Sequence, residues 1–212
     1  MKLADPQYRI RPANKEDIPG LTEVFFRSFN APFWQYLFPD TALMRQWWHQ
    51  AWQISLDNPT DRTFVVEDTS SNDQIVAFSR WMVPQPDGNL ERKWPVVDET
   101  YFPDMELVGA FFGGMEESRH SLMGKEPHWM LELLGVHEKH QRRGIGASLI
   151  KRGTDHADRE GLSTYLDASE IGQPYYLKTH GFKFGSNIEV PDRPEYGSFM
   201  YKGLVRPPQT TQ

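Results

Sequence analysis

The sequence contains no cysteine. Disulfides, cysteine-ligated zinc and a thiol nucleophile are therefore excluded. It also lacks any apolar run long enough to span a bilayer, and Met1 to Tyr8 has no apolar h-region of a secretory signal. The expectation is a soluble, cytoplasmic protein with no membrane partner. Its 29 Asp and Glu outnumber 23 Lys and Arg, giving a net charge of −6. That balance disfavours nucleic acid as a partner, because non-specific binding rests on neutralising phosphates. Two nucleotide patterns are missing as well, the P-loop Gly-x-x-x-x-Gly-Lys-Ser/Thr and the dinucleotide spacing Gly-x-Gly-x-x-Gly. No repeat or low-complexity segment interrupts the chain. Its 212 residues suit one full-sized core, so residues 1–212 are read as a single domain with a variable insertion at about 84–125.

What the chain does carry is concentrated between Trp129 and Ala147. Trp129-Met130-Leu131-Glu132-Leu133-Leu134-Gly135-Val136 is an apolar run broken by one acid, the pattern of a strand covered on both faces. A polar turn with Gly144 and Gly146 follows. Ile145, Leu149, Gly153 and Ala157 then recur every four residues and predict a helix over 144–160, ended by Gly161. Strand, glycine loop and helix together make an anion site. The first N–H groups of a helix lack intrahelical partners and sit at the positive end of its dipole, and glycine lets a phosphate approach the backbone closely. The charges agree, since Lys139, Arg142, Arg143, Lys151 and Arg152 place five of the 23 cations in fourteen residues free of Asp and Glu.

Gln141-Arg142-Arg143-Gly144-Ile145-Gly146 resembles the Gln/Arg-x-x-Gly-x-Gly/Ala signature of the GNAT superfamily of acyl-CoA-dependent N-acetyltransferases. Leu134-Gly135-Val136-His137 is similar to that family's strand end, and Tyr175-Tyr176-Leu177-Lys178-Thr179-His180-Gly181-Phe182 to its second landmark. The specific likeness runs from Trp129 to Phe182, roughly a quarter of the chain. It implies an α/β (α+β) GNAT fold, with a mixed, twisted central sheet, helices on both faces and a CoA cleft beside the central strand. It also implies acetyl-CoA as acyl donor. The pyrophosphate would lie on the loop formed by Gln141, Arg142, Arg143, Gly144, Ile145, Gly146 and Ala147. The pantetheine would run along the backbone of Leu134, Gly135 and Val136, pairing as a missing strand would. The resemblance further implies a tyrosine, in the short helix before Gly181, as the acid for the leaving thiolate. Tyr176 is the first candidate and Tyr175 the second. The family's spacing falls here on Leu177, and one extra residue, such as Thr179, would restore the position by widening the turn.

The remaining elements follow from pattern. Tyr8 to Arg11 alternates as a strand, and Asn14 is a candidate N-cap before a helix carrying Ile18, Leu21, Val24, Phe25 and Phe29. The aromatic segment from Ala31 to Asp40, bounded by Pro32 and Pro39, reads as an irregular turn. A second helix spans about Thr41 to Leu56. Its Trp47, Trp48 and Trp52 read as core, with an acceptor-pocket role as the sharper alternative. Arg62 to Asp68 and Gln74 to Val83 form a hairpin around Thr69-Ser70-Ser71-Asn72-Asp73. Pro84 to Pro103 is a lid or a surface excursion, and Met105 to Met123 a helix with a weak point at Gly113-Gly114. Strands are expected at Ser163 to Ala168, from Gly181 to Phe184, at Ile188 to Val190 and at Ser198 to Tyr201. A short helix is expected at Tyr175 to His180, and a polar tail from Pro207.

Moving an acetyl group from a thioester to an amine needs a neutral amine, a held carbonyl, an oxyanion donor and a proton for the thiolate. Glu132 is the candidate general base, since an acid in a leucine-rich strand is desolvated, which tends to raise its pKa. A partnered structural glutamate, or a water acting as base, are the alternatives. His137-Glu138-Lys139-His140 does not meet the His-Glu-x-x-His zinc pattern, so no metal is expected. The reading is an enzyme, an N-acetyltransferase that moves an acetyl group from acetyl-CoA directly to a primary amine of a small molecule, with a homodimer left open. A CoA-binding regulatory module without transfer activity and a protein or peptide N-acetyltransferase are the alternatives.

Overall fold

The computed structural model describes residues 5–88 and 93–209. In chain order the elements are β1 (Tyr8–Pro12), α1 (Ile18–Ser28), α2 (Pro32–Leu37), α3 (Ala42–Asp57), β2 (Asp61–Asp68), β3 (Gln74–Met82), α4 (Met105–Met123), β4 (Trp129–Val136), α5 (Ile145–Glu160), β5 (Thr164–Ser169), α6 (Gln173–Thr179), β6 (Lys183–Glu189) and β7 (Met200–Arg206). The seven strands form one sheet in the order β1-β2-β3-β4-β5-β7-β6. Only β4 and β5 pair in parallel.

Side-chain caps set several boundaries. Asn14 and Asp17 form a reciprocal capping box around the short turn before α1. Thr41 Oγ1 accepts the Met44 N–H at 3.1 Å to start α3, and Asp104 Oδ1 accepts the Leu107 N–H at 3.0 Å to start α4. Apolar faces of α1 to α4 share a core with Val65, Phe78 and Tyr201 on one side of the sheet. On the other side, Ile150 and Ala157 of α5 pack with Trp81, Trp129 and Leu166.

Two expectations are corrected. The stretch 31–40 is not an irregular turn, because it contains α2. Pro32 occupies the first turn, where its fixed φ suits the helix and its missing N–H costs nothing, and Phe33, Trp34 and Leu37 are buried. Near the C-terminus, the separate strands expected to end at Phe184 and to begin at Ile188 are one strand, β6, and β7 extends to Arg206 rather than Tyr201. A register shift between Phe184 and Ser186 carries β6 through its polar middle, and β7 lies between β5 and β6 with partners on both sides. The Gly113-Gly114 pair does not interrupt α4.

The excursion expected at Pro84 to Pro103 has no regular element among its described residues; 89–92 lie outside them. Phe102 is buried, Trp94 and Val97 pack on the aromatic core, and Trp47 Nε1 donates to the Val96 carbonyl at 2.8 Å. The tail from Pro207 is described as far as Gln209.

Candidate functional site

β4 and β5 pair only at Trp129↔Thr164, Met130↔Tyr165 and Leu131↔Leu166. Both strands continue past these pairs, so beyond Leu131 they diverge. On its other edge β4 stays paired with β3, but the register steps over Glu132: Leu131 opposes Trp81 while Leu133 opposes Arg80. An extra residue on one strand is a bulge, and a bulge bends the strand that carries it. This one sits where β4 leaves β5. The resulting wedge is a cavity of about 200 Å³ bordered by Glu132, Leu134, Asp167, Ser169, Tyr176 and Tyr201. Along it, the β4 backbone beyond Leu131 has no strand partner on the β5 side, which leaves an edge for an extended ligand.

Beyond Val136 the chain turns into α5 through the glycine loop. Gln141 Nε2 donates to the Val136 carbonyl at 3.1 Å and ties the loop to the strand end. Arg142 (φ 62°) and Gly144 (φ 77°) are both left-handed. That conformation is inexpensive for glycine and strained for arginine, and such strain is characteristic of ligand-holding loops. Gly144 caps α5 without a side-chain hydrogen bond, so the first amides of the helix keep their donors. A Cβ placed on Gly144 would meet nothing within 4 Å, and one on Gly146 only Val136 Cγ2 at 3.8 Å. Open space over unsatisfied amides fits a diphosphate.

The five cations contribute less than their clustering in sequence suggests. Arg143 Nη1 donates to the Tyr8 hydroxyl at 3.0 Å, Arg152 stacks over Phe64 at 4.3 Å, and Lys151 pairs with Asp155. Lys139 and Arg142 are exposed beside the loop. What the loop can offer an anion is therefore chiefly backbone amides. Of the other loop residues, Ile145 is buried in the core, and Ala147 borders a groove of about 420 Å³ between α5 and Thr179 to Gly181.

Glu132 lies on the wedge, but its environment is more polar than an apolar strand suggests. Arg80 Nε is 2.8 Å from Glu132 Oε2, Arg80 Nη2 is 2.9 Å from Asp61 Oδ2, and all three side chains are at most 3% exposed. Burial pushes the Asp61 carboxyl upward against the pull of Arg80, with Glu132 adding to the rise. The sequence reading missed Arg80 and, across the wedge, Asp167, whose Oδ1 accepts the Tyr165 hydroxyl at 2.6 Å. The signal was available, because each is a lone charge in an apolar strand, the same reasoning that singled out Glu132.

The two tyrosines separate cleanly. Tyr176 lines the wedge and packs edge-on against Phe182, with ring centroids 5.7 Å apart. Tyr175 is 43% exposed and does not border the wedge. Leu177, at the family's usual spacing, packs with the Trp81 and Leu131 cluster instead. Burial pushes the Tyr176 hydroxyl far above the ordinary phenol value, with Tyr175 adding to the effect, so it keeps its proton throughout the neutral range.

His137 and His140 serve the turn. His137 Nδ1 accepts the Lys139 N–H, and His140 Nδ1 lies 3.0 Å from the Tyr8 hydroxyl. Among the described residues no group of three or more His, Asp or Glu is placed to hold a metal ion. No helix among them is long and apolar enough to cross a membrane.

Beside the wedge lies a pocket lined by twelve residues, eight of them aromatic. Glu132, Leu133, Asp167 and Tyr201 belong to both spaces, so pocket and wedge meet at the two carboxylates.

Comparison with known proteins agrees with this geometry. The model of the acetyltransferase (GNAT) family matches residues 21–182. A Corynebacterium glutamicum structure described as histone acetyltransferase HPA2 and related acetyltransferase is 17% identical. The match covers 97% of this chain and 99% of that one, with a TM-score of 0.61. The C-terminal condensation domain of Ebony, solved with beta-alanyl-dopamine, is 15% identical over 94% of this chain and 98% of that one, with a TM-score of 0.67. The ribosomal-protein-S18-alanine N-acetyltransferase of Escherichia coli is 12% identical over 97% and 96%, with a TM-score of 0.58. At these identities the likeness is one of fold.

Proposed function

The chain belongs to the acetyltransferase (GNAT) family, and from that premise we propose that it moves an acetyl group from acetyl-CoA directly to a primary amine of a small molecule. The observation that carries this reading is the junction of the wedge with the aromatic pocket at Glu132 and Asp167. A donor laid along the β4 edge and an acceptor seated among the rings would meet there.

Three of the four requirements of the transfer, the held donor, the neutral amine and the proton for the thiolate, have candidates among the chain's own residues. The amides of Gly144 to Ala147 would hold the donor's diphosphate, and the unpaired β4 backbone from Leu134 to Val136 would hold its extended arm. The donor itself supplies an activated acetyl thioester. Glu132 or a water takes the proton that keeps the amine from attacking, and Tyr176, protonated at neutral pH, stands on the wedge to return one to the sulfur. One domain spanning residues 1–212 contains the whole arrangement.

Two other readings remain as outcomes of one experiment. The named acceptors of similar folds differ in kind, a ribosomal protein's alanine among them, and a CoA-binding module would keep the cradle without the chemistry. Thiol release from acetyl-CoA across a panel of amines and peptides separates them, with CoA affinity measured by calorimetry in parallel. Amine-dependent release with small amines supports the proposal. Release with peptides alone would make the protein a peptide acetyltransferase, and tight CoA binding with no release by any acceptor would make it a regulatory module.

A further inference from the structure

We propose that the aromatic pocket is an acceptor subsite for arylalkyl primary amines, which places their ammonium between Glu132 and Asp167. This deepens the transferase reading and rests on it.

The chemistry of the walls selects the occupant. Rings dominate the pocket, and its acids are Glu132 and Asp167, at its junction with the wedge. Both acids are held in place: Glu132 by Arg80 at 2.8 Å, and Asp167 by the Tyr165 hydroxyl at 2.6 Å. That hydroxyl lies 2.9 Å from Ser118 Oγ, itself 2.6 Å from Ser186 Oγ, so a chain of hydroxyls backs Asp167. A cationic head at the acids with a flat apolar body among the rings satisfies both ends, through charge pairing at one and ring stacking at the other. A polyamine would leave a second ammonium among rings, far from compensating charge, and an amino acid would bring its carboxylate toward two others. A peptide would bury amide groups against walls of carbon. The wall also offers a buried donor: Trp48, 1% exposed, has an indole Nε1 with no hydrogen-bond partner among the described residues. A hydroxyl or ether oxygen on the aryl ring would suit it.

The pocket's free volume of about 40 Å³ holds little more than a water molecule. Admission of a ring therefore requires wall residues to move. Of its eight aromatic residues, six are buried and two, Trp94 and Phe112, are partly exposed. These two also line an outer cavity of about 320 Å³ with Val97, Met105 and Val108. Their ring centroids stand 6.0 Å apart, and the Arg80 guanidinium lies 4.7 Å from the Trp94 ring. The acceptor enters between Trp94 and Phe112, from the outer cavity toward the acids.

In the reaction the ammonium surrenders two protons, one to a carboxylate before attack and one after the C–N bond forms. The C–S bond breaks as that bond forms, the sulfur keeps one proton, delivered by Tyr176, and the other goes to solvent.

The test compares 2-phenylethylamine and tryptamine with spermidine and a lysine-containing peptide. It reads kcat/KM by thiol release and CoA affinity by calorimetry. The arylalkylamines should exceed the other two by about 100-fold, the order of discrimination a shaped apolar pocket gives. Asp167→Asn, nearly isosteric, should raise KM for tryptamine about tenfold or more while CoA affinity and the circular-dichroism spectrum stay unchanged. If spermidine or the peptide is the faster substrate, the subsite is overturned and the transferase reading stands. If CoA binds and no amine releases thiol, the transferase reading fails and the acceptor role with it. An Asp167→Asn protein that is folded, binds CoA and keeps its KM for tryptamine overturns the assignment of the ammonium to Asp167.

Discussion

The glycine loop, past the end of β4, and the aromatic pocket, beside the wedge, are built in opposite ways. The loop is one stretch of chain from Val136 to Gly146, and what it presents is backbone: amides, two left-handed residues and room where side chains are missing. The pocket draws on α1, α2, α3, the segment at Trp94, α4, β4, β5 and β7, and what it presents is side chains. A backbone site is sensitive to an added Cβ and indifferent to most changes of charge nearby. A side-chain site is the reverse, and depends on distant segments being held in register. Arg80 is the clearest of those holds, joining β2, β3 and β4 through Asp61 and Glu132 and touching Trp94.

That contrast can be broken or sharpened in order of expected effect. The largest should come from Arg80→Met, which leaves two buried carboxylates without their shared cation. A loss of about 3–5 kcal/mol is expected, read from urea denaturation. A loss below about 1 kcal/mol would mean that the acids are solvated after all and that the pocket does not depend on this hold. Next is Gly146→Val. The site above Gly146 is open, so the fold should survive, while the diphosphate loses its approach to one or two charge-assisted bonds. CoA affinity should fall about 100-fold; unchanged affinity in a folded protein would remove the cradle. Gly144 is a poorer probe because its φ of 77° makes any side chain strained.

Tyr176→Phe tests whether one hydroxyl on the wedge supplies the leaving-group proton. Its maximal rate should fall about 10²-fold with CoA affinity unchanged, and Tyr175→Phe, on the exposed side, should change little. Equal small effects would show that neither hydroxyl is the acid. The smallest effect is at Asp104, which caps α4 beneath the pocket wall and receives Arg193 and Tyr36. The Arg193 guanidinium holds its carboxyl down at about 2. Asp104→Ala should cost about 1 kcal/mol at neutral pH, the usual worth of a cap. Because the native pKa is depressed, the charged part of that contribution is present above the ordinary value near 4 and disappears as pH falls through about 2. A difference between the two proteins that stays constant from pH 5 to pH 2 would show that the charge plays no part.

Trp129 to Gly161 was legible in the sequence because strand, loop and helix are contiguous there. Periodicity, glycine placement and unsatisfied helix amides are local properties that survive without knowledge of the rest. The cation cluster was legible as composition and misleading as geometry, since sequence proximity did not tell where Arg143 and Arg152 would point. The segment 31–40 was misread because two prolines suggested a break, whereas one of them starts a helix.

What the sequence determined by itself is therefore the glycine loop, the strand that leads into it and the helix that follows. For the candidate acid, the family resemblance ranked Tyr176 before Tyr175, and the packing shows which of the two faces the wedge: Tyr176 lines it while Leu177 packs into the core. The tertiary structure alone decided the rest. A bulge at Glu132 lies where β4 parts from β5, and eight rings from six separate segments close a pocket on Glu132 and Asp167. The reason is physical: backbone donors are aimed by local dihedral angles, whereas converging side chains are aimed by the packing of elements far apart in the chain.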